Sequence, residues 1–489
     1  MKHGGVLEAA VAAIAFLGSA LAIAGWAETA TGWSLEQAET EQATTASSEC
    51  APCVRKDLEY LAGPSLRGRG SGTEDEHRAA QFIAARLRSH GLAPAAEDGR
   101  YIQVATIRSR RVTAPPTLSF EEPGTGPSHP ITWTHNKEIV VQSLGQPEIV
   151  GPLQKLDLSD PTETPALVKD SAVVLLKLKE GGLWSDAQSA ISRFQQSKAA
   201  MLVLPLPPDF ASSVGQLSKL PRLPKQFGGE APQQAATVVL AKADDFNRLW
   251  KLPDGTSIKL HADVSAWRTA HAWNVLARSE GGRERDQIVM LSAHLDHLGV
   301  RHKRTYFGAD DDASGTAAVM ELARVLAQQP KPARTVVFAL WGSEEAGMLG
   351  ARYFLAHPTF ELQKVVVNLE FEMIARPDPM LAPDLLWLTG WDRSDLGEEL
   401  AAHGAKVIAD PHPEQNFFQR SDNYPLAKRG IIAQTISSYG LHRDYHKPTD
   451  TLAKVDWYHL DNAIGSMIAP VLWLANGDFT PTWKRGQRP

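Results

Sequence analysis

Between residues 273 and 475, short apolar runs alternate with segments of helical period, and nearly every apolar run ends in acidic or histidine residues. The runs at 287–292, 335–341, 364–374, 385–388 and 430–437 are rich in Val, Ile and Leu, as buried strands are. Between them, 317–327, 348–356, 395–403 and 460–475 repeat apolar residues at helical spacing. The alternation predicts an α/β domain, a three-layer sandwich with a mainly parallel central sheet. Such sheets bind ligands beyond the carboxyl ends of their strands, so the polar residues after each run are the candidates for chemistry.

The rest of the chain has a different texture. Residues 111–270 carry short β-like runs (139–141, 172–178, 201–204, 236–240, 258–260) broken by prolines, with one helix-like stretch at 184–197 and no His/acid cluster of ligand spacing. This predicts an inserted, non-catalytic β-rich domain, and 489 residues exceed what one ordinary core accommodates. The domain to the carboxyl side then spans 271–478 with a tail at 479–489, and its first part spans 54–110. That first part contains a helix at 75–91, where Ala79, Phe82, Ile83 and Leu87 share one face and Gly91 ends it.

Residues 1–27 read as a secretory signal, with Lys2 at the start and an apolar stretch at 9–24 too short to span a bilayer comfortably. Residues 28–53 are polar and aperiodic, a flexible linker, so order is expected from Val54. An exported, periplasmic or extracellular protein follows, with Cys50 and Cys53 forming a small local disulfide. A net charge of −6 without a Lys/Arg run excludes a nucleic-acid partner, and none in the membrane is expected once the signal is cleaved. Oligomeric state is left open.

The strand ends supply Ser292-Ala293-His294-Leu295-Asp296-His297, Asp310-Asp311-Asp312, Glu344-Glu345, Glu370 with Glu372, and a late loop with Tyr445-His446. Each alone is ordinary: an Asp triplet before a helix complements its dipole, and Glu-Glu is usually a solvated face. Together, at successive strand ends, they point to a pair of metal ions. Two nearby dications need a bridging carboxylate, for which Asp311 serves. His294 with a carboxylate of the fourth strand completes one ion, and Glu345 with His446 the other. Glu344, beside a ligand, is the general base for an activated water. Asp296 would accept the proton of the His294 far nitrogen, and Tyr445 would donate to a developing oxyanion. Zinc suits the mixed N/O set, although manganese or cobalt also binds carboxylate-rich sites.

The motifs A-H-L-D-H (293–297), G-A-D-D-D-A-S-G-T-A-A (308–318), S-E-E-A-G-M-L-G (343–350), N-L-E-F-E-M-I-A-R (368–376) and D-Y-H-K-P-T-D-T (444–451) resemble those of the co-catalytic zinc aminopeptidases. Relatives of that family include glutamate carboxypeptidase, glutaminyl cyclase and the non-enzymatic transferrin receptor. The resemblance implies a zinc exopeptidase fold, two zinc ions per chain, a peptide substrate, ligand roles for His294, Asp311, Glu345 and His446, and Glu344 as base. It also implies a cis peptide between Asp311 and Asp312. At the fourth strand the family's Asn-Leu-Asp-Met-Ile-Gly is replaced by Asn368-Leu369-Glu370-Phe371-Glu372-Met373-Ile374-Ala375, so either Glu372, nearer the strand end and preferred, or Glu370 is the ligand. Ser421-Asp422-Asn423 stands where relatives often have Ser-Asp-His. The inserted region resembles, in texture and position, a protease-associated domain. Hydrolysis at a free amino terminus is the expected activity. A glutamate-releasing carboxypeptidase using Arg376, Arg420 or Arg443, a glutaminyl cyclase, and a non-catalytic binding protein are the alternatives.

Overall fold

A computed structural model describes residues 51–122, 130–195, 197–211, 220–227 and 236–489. The signal at 1–27, most of the linker, and Cys50 lie outside the described residues. Cys53 is disulfide-bonded and sits in a helix, Ala51–Leu61, that starts within the segment expected to be linker.

The central sheet has ten strands. From one edge they run Val407–Ala409, Leu386–Leu388, Ala433–Ser437, Val365–Phe371, Glu284–His294, Arg334–Trp341, Arg268–Ser279, Ile102–Ser109 and Gln226–Phe227, with Ala93–Pro94 paired to Arg268–Ser279. The middle is parallel: Glu284–His294 pairs in parallel with both Arg334–Trp341 and Val365–Phe371, which in turn pairs in parallel with Ala433–Ser437. The flank formed by Arg268–Ser279, Ile102–Ser109 and Gln226–Phe227 is antiparallel. The sheet is therefore mixed rather than mainly parallel. The flanking strands escaped notice because Gln103, Thr106 and Arg108, and Arg268, Thr269 and His271, break the apolar run in strands that are buried only in part.

Successive residues of the middle strands bury on opposite faces, as the two-residue period requires. Val289, Leu291 and Ala293 pack with helices Ala51–Leu61, Glu74–Ser89, Gly315–Ala327 and Trp457–Asn476. Ile288 and Met290, with Val337, Ala339 and Trp341, pack against Leu349–Ala356 and Asn423–Lys428. Each fully buried Val or Leu contributes roughly 1.5–3 kcal/mol relative to exposure, so these layers hold the strand ends in fixed register. Gly315 allows the helix Gly315–Ala327 to begin against the strand: a Cβ there would stand 2.0 Å from the Phe371 carbonyl oxygen.

The segment between Ser109 and Arg268 forms a second sheet of eight strands, ordered Ile131–Thr134, Thr117–Phe120, Ser257–His261, Glu148–Asp157, Val173–Lys177, Met201–Pro205, Thr237–Ala241 and Ile139–Ser143. It has apolar clusters of its own, one around Leu118, Val203 and Leu260 and another around Val174, Phe194 and Leu240. The segment is not wholly separate, since Gln226–Phe227 adds a strand to the central sheet. Residues expected as a tail are docked: Arg334 donates to the Phe479 carbonyl at 2.6 Å and Trp483 Nε1 to that of Gly430 at 3.0 Å. Among the described residues no helix is long and apolar enough to cross a membrane.

Candidate metal centre

His294 is the last residue of its strand, and the chain then turns through Asp296 and His297. The Asp triplet lies opposite, with a cis peptide joining Asp311 to Asp312. Its outer two members are braces. Asp312 accepts from the backbone N–H of His294 (3.2 Å), Gly315 (3.0 Å) and Met373 (3.1 Å), tying two strand ends to the start of a helix. Asp310 accepts from Ala375 N–H at 2.8 Å and faces His442 Nε2 at 3.1 Å. Asp311 is left to point inward. Gly308, at φ 60°, makes room for its neighbour: a Cβ there would stand 2.4 Å from His297 Cγ.

Two ligand groups share Asp311. In the first, His294 Nε2 lies 3.2 Å from Asp311 Oδ1 and 3.9 Å from Glu372 Oε1. In the second, Glu345 Oε1 lies 2.9 Å from His297 Nδ1 and 3.1 Å from His446 Nε2, and Asp311 Oδ2 lies 3.2 Å from His446 Nε2. Yet His294 Nε2, both His297 ring nitrogens, Asp311 Oδ2 and Glu345 Oε1 are buried without a hydrogen-bond partner. Buried polar atoms that converge and remain unbonded are costly unless something else binds them. Imidazole nitrogens and carboxylate oxygens at this spacing are zinc-type donors, so the residues fit the metal. Burial alone would raise the Asp311 carboxyl, but His297, His294 and His446 hold it well below the usual range. Glu345 is likewise held down to about 2 by His297 and His446, against burial and Asp311. His446 is pushed up to about 9 by Asp311 and Glu345 despite burial.

The structure brings together His294, Asp311, Glu345, Glu372 and His446, and it separates Glu372 from Glu370. Glu370 points to Ser421, whose hydroxyl donates to its Oε1 at 3.1 Å. Asn423 holds backbone carbonyls of Phe418 and Ala433 and lines neither ligand group. Asp296 stands beside His294 Nδ1, with its main-chain carbonyl at 3.2 Å and its carboxylate at 3.8 Å. Against burial, the Asp296 and Asp311 carboxylates raise the His294 imidazole. The Asp296 carboxylate also accepts from Glu344 N–H at 2.8 Å and from Ser71 Oγ at 2.5 Å, fixing the turn that presents Glu344. The Tyr445 ring stacks on His446 with centroids 3.9 Å apart. His297 was missed as a ligand candidate, and its only sequence signal is a third titratable residue in His-Leu-Asp-His.

The model of peptidase family M28 matches residues 274–471, which carry both ligand groups. This part of the chain is similar to peptidase family M28. The chain is 29% identical to leupeptin-inactivating enzyme 1 of Streptomyces exfoliatus over 60% of its own length and 68% of that protein. It is 28% identical to a probable lipoprotein aminopeptidase of Mycobacterium tuberculosis, over 48% of its length and 44% of that protein. With leucine aminopeptidase 2 of Trichophyton rubrum it shares 30% identity over 47% and 50% of the two lengths. The chain thus spans about half the length of several curated relatives it matches. The fold is similar to that of an aminopeptidase from Aneurinibacillus sp. strain AM-1, at TM-score 0.51 and 19% identity, covering 90% of this chain and 97% of that one.

One ion cluster holds the ligand loops of the central-sheet domain together. Asp450 accepts from Asp310 and Asp311 N–H at 3.2 Å, and Arg376 bridges Asp450 (2.6 Å) and Asp444 (2.9 Å). Removing the cation leaves buried carboxylates unpaired, so Arg376→Met is expected to cost about 3–5 kcal/mol of stability, read from urea unfolding. A loss under 1 kcal/mol would show that the loops do not depend on it.

Proposed function

We propose that the chain is a zinc-dependent aminopeptidase that holds two ions and hydrolyses the peptide bond next to a free amino terminus. One observation carries this reading: a small pocket at Glu372, of about 30 Å³, sits beside a surplus of buried carboxyls. Its walls include Met373, Trp387, Phe417, Leu441 and Tyr445. Close to Glu372 stand Glu370 and Asp422, both fully buried, and Glu370 Oε2 and both Asp422 oxygens lack a hydrogen-bond partner. Burial pushes all three carboxyls upward, and for Glu370 the neighbouring Asp422 and Glu372 add to it. An ammonium group offsets such a surplus, whereas a carboxylate adds to it. The pocket's one cation among the lining residues, Arg420, lies over the Phe417 ring at 5.3 Å. Arg376 is engaged by Asp444 and Asp450, and the Arg443 side chain is 85% exposed. These arginines give a glutamate-releasing carboxypeptidase little to work with.

His294 and Glu372 would hold one ion and Glu345, His446 and His297 the other, with Asp311 between them. Bound zinc supplies polarisation of the scissile carbonyl and an acidified water. Glu344 takes the water's proton and hands it to the departing amine. Burial raises the Glu344 carboxyl well above its ordinary range, opposed by His294 and reinforced by Asp422, Glu345 and Glu372, which suits a group that must keep a proton between two transfers. Tyr445 is the donor assigned to the oxyanion, and burial together with the surrounding carboxylates keeps its phenol protonated. We further read the second sheet as a protease-associated-like domain bordering the cleft, and the chain as exported.

A panel of aminoacyl anilides with free and blocked amines tests the activity: cleavage confined to free amines is expected, and equal cleavage of blocked substrates would overturn the reading. Zinc that binds only the folded chain stabilises it by about 2.7 kcal/mol at a hundred times Kd. A chelator should therefore lower the unfolding temperature in calorimetry and restored zinc should recover it.

A further inference from the structure

The pocket at Glu372 is small enough to limit which amino-terminal residue enters it. Its volume of about 30 Å³ holds roughly two water-sized groups. Phe417 sets that limit. Its ring stands 5.1 Å from that of Trp387, and it lies so close to Gly440 that a Cβ there would stand 2.3 Å from Phe417 Cζ. The Arg420 guanidinium rests against the same wall, 5.3 Å from the Phe417 ring and 6.0 Å from that of Tyr445. A leucine or phenylalanine side chain would have to displace these groups, and overpacking of that kind is costly.

The rest of the wall is polar. Thr389, Thr435 and Ser437 line the pocket together with Trp387. Trp387 pairs with Ser437 across the sheet, and Thr435 pairs with Glu370. Paired residues, and residues two apart on one strand, share a face, so Trp387, Thr435, Ser437 and Glu370 lie on one side of the sheet. Two of the hydroxyls are satisfied within the protein. Thr389 Oγ1 accepts from the Thr435 N–H at 2.9 Å, and Ser437 Oγ donates to the Met373 carbonyl at 3.2 Å. Thr435 Oγ1 and Trp387 Nε1, by contrast, are buried without a hydrogen-bond partner.

Leaving such groups unpaired costs free energy that a bound ligand can recover. The indole N–H only donates, and the threonine hydroxyl both donates and accepts. An alcohol is complementary to both, since its oxygen accepts and its proton donates. A carboxylate side chain would instead meet the fully buried carboxyls of Glu370 and Asp422, and an amide or a longer chain exceeds the space. Resting on the aminopeptidase reading, we infer that this pocket selects a small amino-terminal residue bearing a hydroxyl, serine above all, with Trp387 and Thr435 binding the hydroxyl and Phe417 excluding large side chains. A site that hydrogen-bonds a substrate hydroxyl rejects the analogue lacking it, because its own polar groups then stay unpaired.

The test uses the zinc-loaded full chain and free-amine anilides of Ser, Ala, Thr, Val and Leu. We expect kcat/KM to be about 10–100-fold higher for Ser than for Ala and for Thr than for Val. Leu should fall about tenfold or more below Ala. In Thr435→Val, which keeps the shape of the side chain, the Ser/Ala ratio should drop about tenfold, and Trp387→Phe should lower it as well. Phe417→Ala should raise Leu relative to Ala. Equal rates for Ser and Ala in an enzyme that cleaves free-amine anilides would overturn hydroxyl selection alone, and a preference for Leu over Ala would overturn the size limit. A Ser/Ala ratio unchanged in both Thr435→Val and Trp387→Phe would overturn the assignment to these residues. Failure to cleave any free-amine substrate would overturn the aminopeptidase reading, and this inference with it.

Discussion

Replacing Glu344 by Gln should lower kcat by about 10²–10⁴-fold while leaving bound zinc unchanged. The amide has the shape of the carboxylate, so the turn presenting it should survive: Asp296 Oδ1 grips the Glu344 backbone N–H rather than its side chain, and Ser343, at φ 55°, begins the turn. Glu344 belongs to neither ligand group, whereas its neighbour Glu345 stands 2.9 Å from His297 and 3.1 Å from His446. Metal content and turnover should therefore separate cleanly, with zinc measured by atomic emission on the same sample used for kinetics. A Glu344→Gln enzyme within tenfold of the parent would remove this residue from proton transfer. A variant that had lost zinc would instead make it a ligand.

The second large effect distinguishes two glutamates on one strand exit. Glu372→Gln should release about one zinc ion per chain and abolish most activity, because an amide is a poor substitute for an anionic zinc ligand. Glu370→Gln should keep both ions, since Glu370 is turned to Ser421 and only Glu372 stands with His294 and Asp311. Metal analysis of the two variants decides between them. Loss of zinc in Glu370→Gln with retention in Glu372→Gln would exchange their roles.

The choice between those glutamates shows where one-dimensional reasoning stopped. Residues two apart on a strand face the same side, so period alone left both open. The strand ends at Phe371 and Met373 adopts φ 54°, so the chain leaves the sheet between the two carboxylates, and only Glu372 joins His294 and Asp311 although Ser421 lies beside both. Asp296 is a similar case. Its spacing from His294 was visible, but the turn its carboxylate fixes depended on Ser71 and Glu344, which arrive from distant parts of the chain. His297 was not singled out from sequence, and the Glu345 loop brings a carboxylate to 2.9 Å of it.

The sequence by itself determined the α/β character of the second half and pointed to the strand ends and to His294, Asp311, Glu345 and His446, which the structure brings together. Buried strands and amphipathic helices leave local apolar patterns, and ligands at strand ends are found by adjacency to those patterns. Only the tertiary structure decided the antiparallel flank, the docking of residues 479–484, the bracing of Asp311 by Asp310, Asp312, Asp450 and Arg376, and the contact between the second-sheet segment and the Glu345 loop. Those features are contacts between segments up to hundreds of residues apart, such as Lys225 with Ala346. No local pattern encodes such contacts, because each partner taken alone is an ordinary surface charge or an ordinary polar strand.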